Sequence, residues 1–224
     1  MSSPSDAPVR TIGTHTRSGN AMLRTRAAIL EAAARCVERS GVRKTTMGDV
    51  SSQASVAKAT LYNHFRTKDD LLDALVLSST EQLTAECSEL AGAGLAPALE
   101  HAGSVLGASG PLRRVAADEP ALLAALGAPG EGRMWETARR GVEAVLRESG
   151  APSDTVSVDV VLRWLCGHVM WAATPEELTV GARLLAAGLG RAPEPAVALP
   201  VVEVEVTALS SYDEPRPAGV GWPT

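Results

Sequence analysis

From Leu23 onward, apolar residues recur at Leu23, Ala27, Leu30, Ala34 and Val37, with Ile29 and Ala33 alongside. This period of about 3.6 residues predicts a helix, and Gly41 is placed to end it. A second, short helix begins at Thr46. Its hydroxyl can cap, Asp49 completes a capping-box pair, and Met47, Val50 and Ala54 share one face. Gly48 weakens that helix by up to ~1 kcal/mol. Ser55 and Val56 interrupt the pattern, and "AKATLYNHF" resumes it as a third short helix. Thr67 caps a long fourth helix whose apolar stripe runs through Leu71, Leu72, Leu75, Val76, Leu83 and Leu90. Helical spacing continues over 97–107, 111–127 with a break near Asp118–Pro120, 133–148, 154–173 and 175–189. The last of these is marked by Thr174 as cap, Pro175 at the first helical position and Glu177 as capping-box partner. After Gly190 the text turns Pro-rich, and the alternating stretch Val202–Thr207 has no second strand to pair with.

The pattern predicts an all-α protein. Residues 1–20 read as a flexible tail, 21–66 as a three-helix helix-turn-helix domain, 67–190 as a helical domain and 191–224 as a Pro-rich flexible tail. On the third helix Leu61 and Phe65 lie four apart, so they share a face that can lock it onto Leu30, Val50 and Ala54. Lys58, Tyr62 and Arg66 fall on another face, which Ala59 and Asn63 continue. A helix that is basic and hydroxyl-bearing on one side has the character needed to enter a DNA major groove.

Charge sharpens this picture. The net charge of −5 hides an uneven distribution: residues 1–70 hold eleven Lys/Arg against six Asp/Glu (+5), and residues 71–224 hold ten against twenty (−10). A basic N-terminal third suits a polyanionic partner and the acidic remainder another task. No apolar stretch approaches the roughly 18 residues of a membrane helix, and the polar N-terminus lacks a secretory apolar segment. Three widely spaced cysteines, Cys36, Cys87 and Cys166, read as free thiols. The expectation is a cytoplasmic protein with no membrane partner.

The stretch "TTMGDVSSQASVAKATLYNHFRTKDDLL" resembles the DNA-binding region of TetR-family transcriptional regulators, with the likeness spanning residues 24–75. The resemblance implies that Thr46 meets a phosphate at its helix start and that Lys58, Ala59 and Thr60 read bases. It implies backbone contacts for Tyr62 and His64 and a phosphate contact for Lys68, with Asn63 on the same DNA-facing side. Three departures stand out: Ser55 replaces the turn glycine, Ala57 replaces a capping Ser or Thr, and Gly48 replaces a base-contacting side chain. The implied protein is a homodimer that represses from a roughly palindromic operator and is released by a small effector. An activator of the same fold is the near alternative, and a small all-α ligand carrier or enzyme with a vestigial helix-turn-helix is the distant one.

Within 67–190, Trp164, His168 and Trp171 recur at i, i+4 and i+7, with Met134 and Trp135 on another helix and His101 on a third. Their plain reading is core packing. The resemblance raises them as an effector pocket suited to a mostly hydrophobic molecule, and it implies dimerisation through 154–173 and 175–189. No catalytic set is legible. "GAPGEG" at 127–132 lacks the strand and the Lys of a phosphate loop, and Cys166 and His168 have no second ligand pair for zinc. Neither cofactor nor metal is expected.

Overall fold

The computed structural model describes residues 14–122 and 132–190, with side chains from residue 19. Among them are nine helices: α1 Thr14–Lys44, α2 Met47–Gln53, α3 Lys58–His64, α4 Lys68–Ala91, α5 Leu95–Ala108, α6 Gly110–Asp118, α7 Arg133–Glu148, α8 Thr155–Met170 and α9 Pro175–Leu189. The protein is all-α over these residues. The Val202–Thr207 stretch, the 191–224 tail and most of "GAPGEG" lie outside the described residues.

Helix ends follow local chemistry. Capping boxes close the N-termini of α2 (Thr46 with Asp49), α4 (Thr67 with Asp70) and α9 (Thr174 with Glu177), each worth ~1 kcal/mol. Gly41 breaks α1 at φ 79°, ψ 167°. Beyond this kink the chain stays helical to Lys44, and Thr45 turns it toward α2 by donating its hydroxyl to the Gly41 carbonyl at 2.7 Å.

Several expectations are corrected. Helix α1 starts at Thr14, so residues 14–20 are helical rather than tail, and the side chains of Arg24 and Thr25 bond back to the Asn20 and Ala21 carbonyls. Leu23 is exposed, because the N-terminal turns of α1 project beyond the core, where burial begins in earnest at Ile29. The expected break near Asp118–Pro120 is present: helix α6 stops at Asp118, where Glu119 leaves helical geometry (φ −138°, ψ 54°). Helix α8 ends at Met170, where Trp171 turns extended.

Three buried clusters organise the packing. Ile29, Leu30, Ala33 and Cys36 of α1 meet Val50, Leu61, Phe65 and Leu71 in the first. A larger one joins Cys87 and Ala91 of α4 to Leu99, Trp135, Leu146, Val161, Leu162 and Ala182. The third is small: Val37 and Val115, flanked by Val42, Leu72, Leu112 and Val169. Helix α4 contributes to the first two, so the proposed boundary at residue 67 falls at the start of a shared spine rather than in a gap. Its crossing with α7 is close, since a Cβ on Gly141 would run into the Thr84 side chain.

Candidate nucleic-acid interface

Helix α3 is held by one side and offers the other. Leu61 is fully buried and Phe65 is 3% exposed, both in the cluster with Leu30 and Val50. The guanidinium of Arg26 lies 4.4 Å above the Phe65 ring, a cation–π contact that adds to the anchor. On the opposite side Lys58, Ala59, Tyr62, Asn63 and Arg66 are exposed, with Thr60 and His64 partly so. Tyr62 keeps 49% of its surface in water, unusual for a large ring without a partner. Ala57 precedes α3 with no side-chain cap.

The turn into α3 is built without its glycine. Ser55 sits at φ 55°, the sole non-glycine with positive φ among the described residues. Buried Ser51 compensates: its hydroxyl donates to the Val56 carbonyl at 2.8 Å, and Val56 N–H returns to the Ser51 carbonyl at 3.1 Å. Thr46 is exposed at the start of α2, donating its hydroxyl and its N–H to Asp49. Those hydrogen bonds, the hydroxyl's first, hold the Asp49 carboxyl below its usual range. Lys68, half-buried at the start of α4, donates to the Arg43 carbonyl at 3.3 Å, which brings it alongside the α1–α2 connection. Just past the end of α6, which packs on α1, Glu119 accepts the Arg43 backbone N–H at 3.0 Å. Sequence spacing could not reveal Arg26, Ser51 or Glu119, because each acts through a partner distant in the chain or through a turn.

Residues 29–75 match the model of bacterial regulatory proteins of the tetR family. Over these residues, about a fifth of the chain, its helix-turn-helix is similar to that of the tetR family. It is 40% identical over 67 residues to the HTH-type transcriptional regulator TtgR and to the probable regulator ArpR, both of Pseudomonas putida. Each match covers 29% of this chain and 32% of the relative, so the likeness spans about a third of these curated relatives' length. Solved structures carry it through the body as a likeness of fold. The TetR family repressor AlkX from Dietzia sp. superposes at a TM-score of 0.57 and 20% identity, over 73% of this chain and 94% of that one. FadR from Bacillus halodurans gives 0.56 and 16%, over 74% and 96%.

In the body of the chain, the six residues singled out from sequence do not converge. Trp135 is buried, and Met134 and Trp164 pack against the same large core. His168 stands edge-on to Trp164 at 4.3 Å between ring centroids. Gly103 allows this, because a Cβ there would meet Leu178, His168 and Trp164. His101 points elsewhere and pairs with Glu86 at 2.8 Å, a contact that lowers the Glu86 pKa. Trp171 is 77% exposed, carried out of the group by the end of α8. The cysteines are free; burial pushes the Cys87 thiol up to about 11, which removes thiolate reactivity. Among the described residues no cluster of His, Cys, Asp or Glu could hold a metal ion, and no helix is long and apolar enough to cross a membrane.

Proposed function

We propose that the chain is a homodimeric, sequence-specific DNA-binding regulator, a repressor that leaves a palindromic operator when a mostly hydrophobic small molecule occupies residues 67–190. The exposed face of α3 carries this reading: a basic, hydroxyl-bearing strip on a helix whose opposite side is locked by Phe65. Thr46, Tyr62, His64 and Lys68 then hold the phosphate backbone and set register, while Lys58, Ala59, Thr60 and Asn63 face base edges. Two copies of α3 must reach successive major grooves about 34–36 Å apart. Effector binding acts by favouring the spacing that does not fit.

Dimerisation is supported by an apolar face on α8 and α9 that no described residue covers. Val156 is 71% exposed, Leu184 69%, Trp171 77% and Val180 49%, and a Cβ on Gly167 or Gly188 would meet nothing. Ala182, read from sequence as part of this face, is instead fully buried inside the protomer.

Titration of operator DNA, found by selection from random duplexes, tests the reading across salt. Tyr62→Phe and Lys68→Ala should weaken binding to every sequence, and Lys68→Ala should lower the log K versus log salt slope by about one. Lys58→Ala should relax preference at particular base pairs by ~1–3 kcal/mol. Parent-like binding by all three would remove α3 from the interface.

A further inference from the structure

We propose that the cleft between α5, α6 and α8 binds a small amphipathic carboxylate, its chain lying on Leu106, Leu112, Val169 and Met170 and its head group on Arg113. The cleft has a volume of about 300 Å³ and opens to solvent, which sits at the small end of ligand pockets of ~300–1,000 Å³. Its side chains are aliphatic apart from Arg113 and His168, and its exposed lining is about as polar as it is apolar. Arg113 is the one ionised residue in the lining, and among the described residues no carboxylate pairs with it. Its chain neighbour Arg114 is already paired, with Asp118 at 2.9 Å. A guanidinium with free forked donors beside the aliphatic side chains of Leu106, Leu112 and Val169 matches a planar carboxylate with an alkyl or aryl tail.

His168 also borders the cleft; its ring packs back against Gly103 and Trp164, and its Nε2 is buried with no hydrogen-bond partner. A buried ring nitrogen left unmatched costs free energy until something supplies the bond. Burial also pushes the His168 pKa down, so the imidazole is neutral near pH 7 and Arg113 is the single positive charge in the cleft. One charge in an aliphatic setting favours a monoanion over a polyanion.

Orientation follows from the neighbouring cleft of about 540 Å³, which shares Gly107 and Ala172 with the first. Its lining includes Glu100, whose carboxylate already accepts the Thr179 hydroxyl at 2.7 Å. An anionic head is repelled there, so it lies at Arg113 and a longer tail runs toward Gly107. Helix α6, which carries Arg113, ends one residue before Glu119, which holds Arg43, so occupancy of the cleft bears on the helix-turn-helix connection. This last step rests on the regulator reading above; binding itself does not.

Calorimetry on the full chain with octanoate, 1-octanol and octylamine, each below its aggregation threshold, tests the site. Octanoate should bind once per chain and at least tenfold more tightly than octanol, with octylamine weakest. Arg113→Gln should bring octanoate to the level of octanol and leave octanol unchanged; Arg113 is exposed, and an unchanged circular dichroism spectrum verifies the fold. Equal affinity for octanoate and octanol, selectivity that survives Arg113→Gln, or saturable binding of none of the three would overturn the proposal. Operator release is read separately by anisotropy of labelled DNA. Octanoate bound through Arg113 with the operator unmoved would sink the regulatory role and leave the site standing. Operator binding without octanoate binding would sink the site and leave the regulator reading.

Discussion

Glu119 accepts the backbone N–H of Arg43 across 76 residues of chain, with its Oε1 at 3.0 Å. The carboxylate is buried, its second oxygen lies 3.7 Å from the exposed Arg43 Nε, and its first would sit 2.9 Å from a Cβ on Gly41. One side chain from the end of α6 thus fixes the kink where α1 hands over to the helix-turn-helix. Glu119→Ala leaves the Arg43 N–H without its acceptor and should cost ~1–3 kcal/mol. Glu119→Gln retains an acceptor oxygen and should cost less. Thermal melts of both variants, alongside operator titrations, check the order.

Gly41 is constrained twice over, by its positive φ and by the Glu119 oxygen. Gly41→Ala should therefore destabilise by more than the ~1–2 kcal/mol of left-handed strain alone. The double variant with Glu119→Ala should recover part of that loss, because the blocking oxygen is gone. Denaturant midpoints of the two singles and the double give the coupling directly.

Ser55 holds a conformation that suits glycine (φ 55°). Ser55→Gly should raise stability by ~0.5–1 kcal/mol, and Ser55→Val should lower it by at least that much. A chemical denaturation series at this one position reads both signs.

Leu184 and Ala182 lie two residues apart on α9 yet face opposite ways, 69% and 0% exposed. Leu184→Glu should dissociate the dimer and leave the protomer folded. Ala182→Glu buries an unpaired charge and should unfold it. Analytical ultracentrifugation with circular dichroism separates the two; a parent that sediments as a monomer removes the dimer proposal.

Acid should weaken the caps. Hydrogen bonds from Thr46 and Ser157, and from Thr174, hold the carboxyls of Asp49, Asp154 and Glu177 below their ordinary values of 3.8, 3.8 and 4.5. Carboxyls depressed in the folded state stabilise it above the unfolded pKa, and that contribution is lost as pH falls through the folded value. The melting temperature should decline below about pH 4, and more gently in Asp49→Asn paired with Glu177→Gln.

The helices were legible from apolar spacing and, for α9, from the capping box of Thr174 and Glu177. The spacing of Arg133–Glu148 and Pro175–Leu189 reproduces α7 and α9, and the buried face of Leu61 and Phe65 follows from a four-residue step. Distant partners were not legible. Periodicity places Trp164, His168 and Trp171 on one stripe, but it is blind to where α8 stops, and one residue past that end Trp171 swings out into solvent. It is equally blind to Gly103, which makes the space that His168 and Trp164 fill. Ala182 shows the same limit, since a small residue at a helix crossing looks alike whether the second helix belongs to its own chain or to another copy.

Helix α4 supplies Leu71 to the core beneath α3 and Cys87 and Ala91 to the core of the body. A chimera that grafts this helix-turn-helix head onto a different body should therefore be spliced within α4, beyond Leu75, and not at Thr67. Cut at Thr67, the transplanted head would keep α1 but lose Leu71, Ala74 and Leu75, and with them one wall of the core that α2 and α3 share.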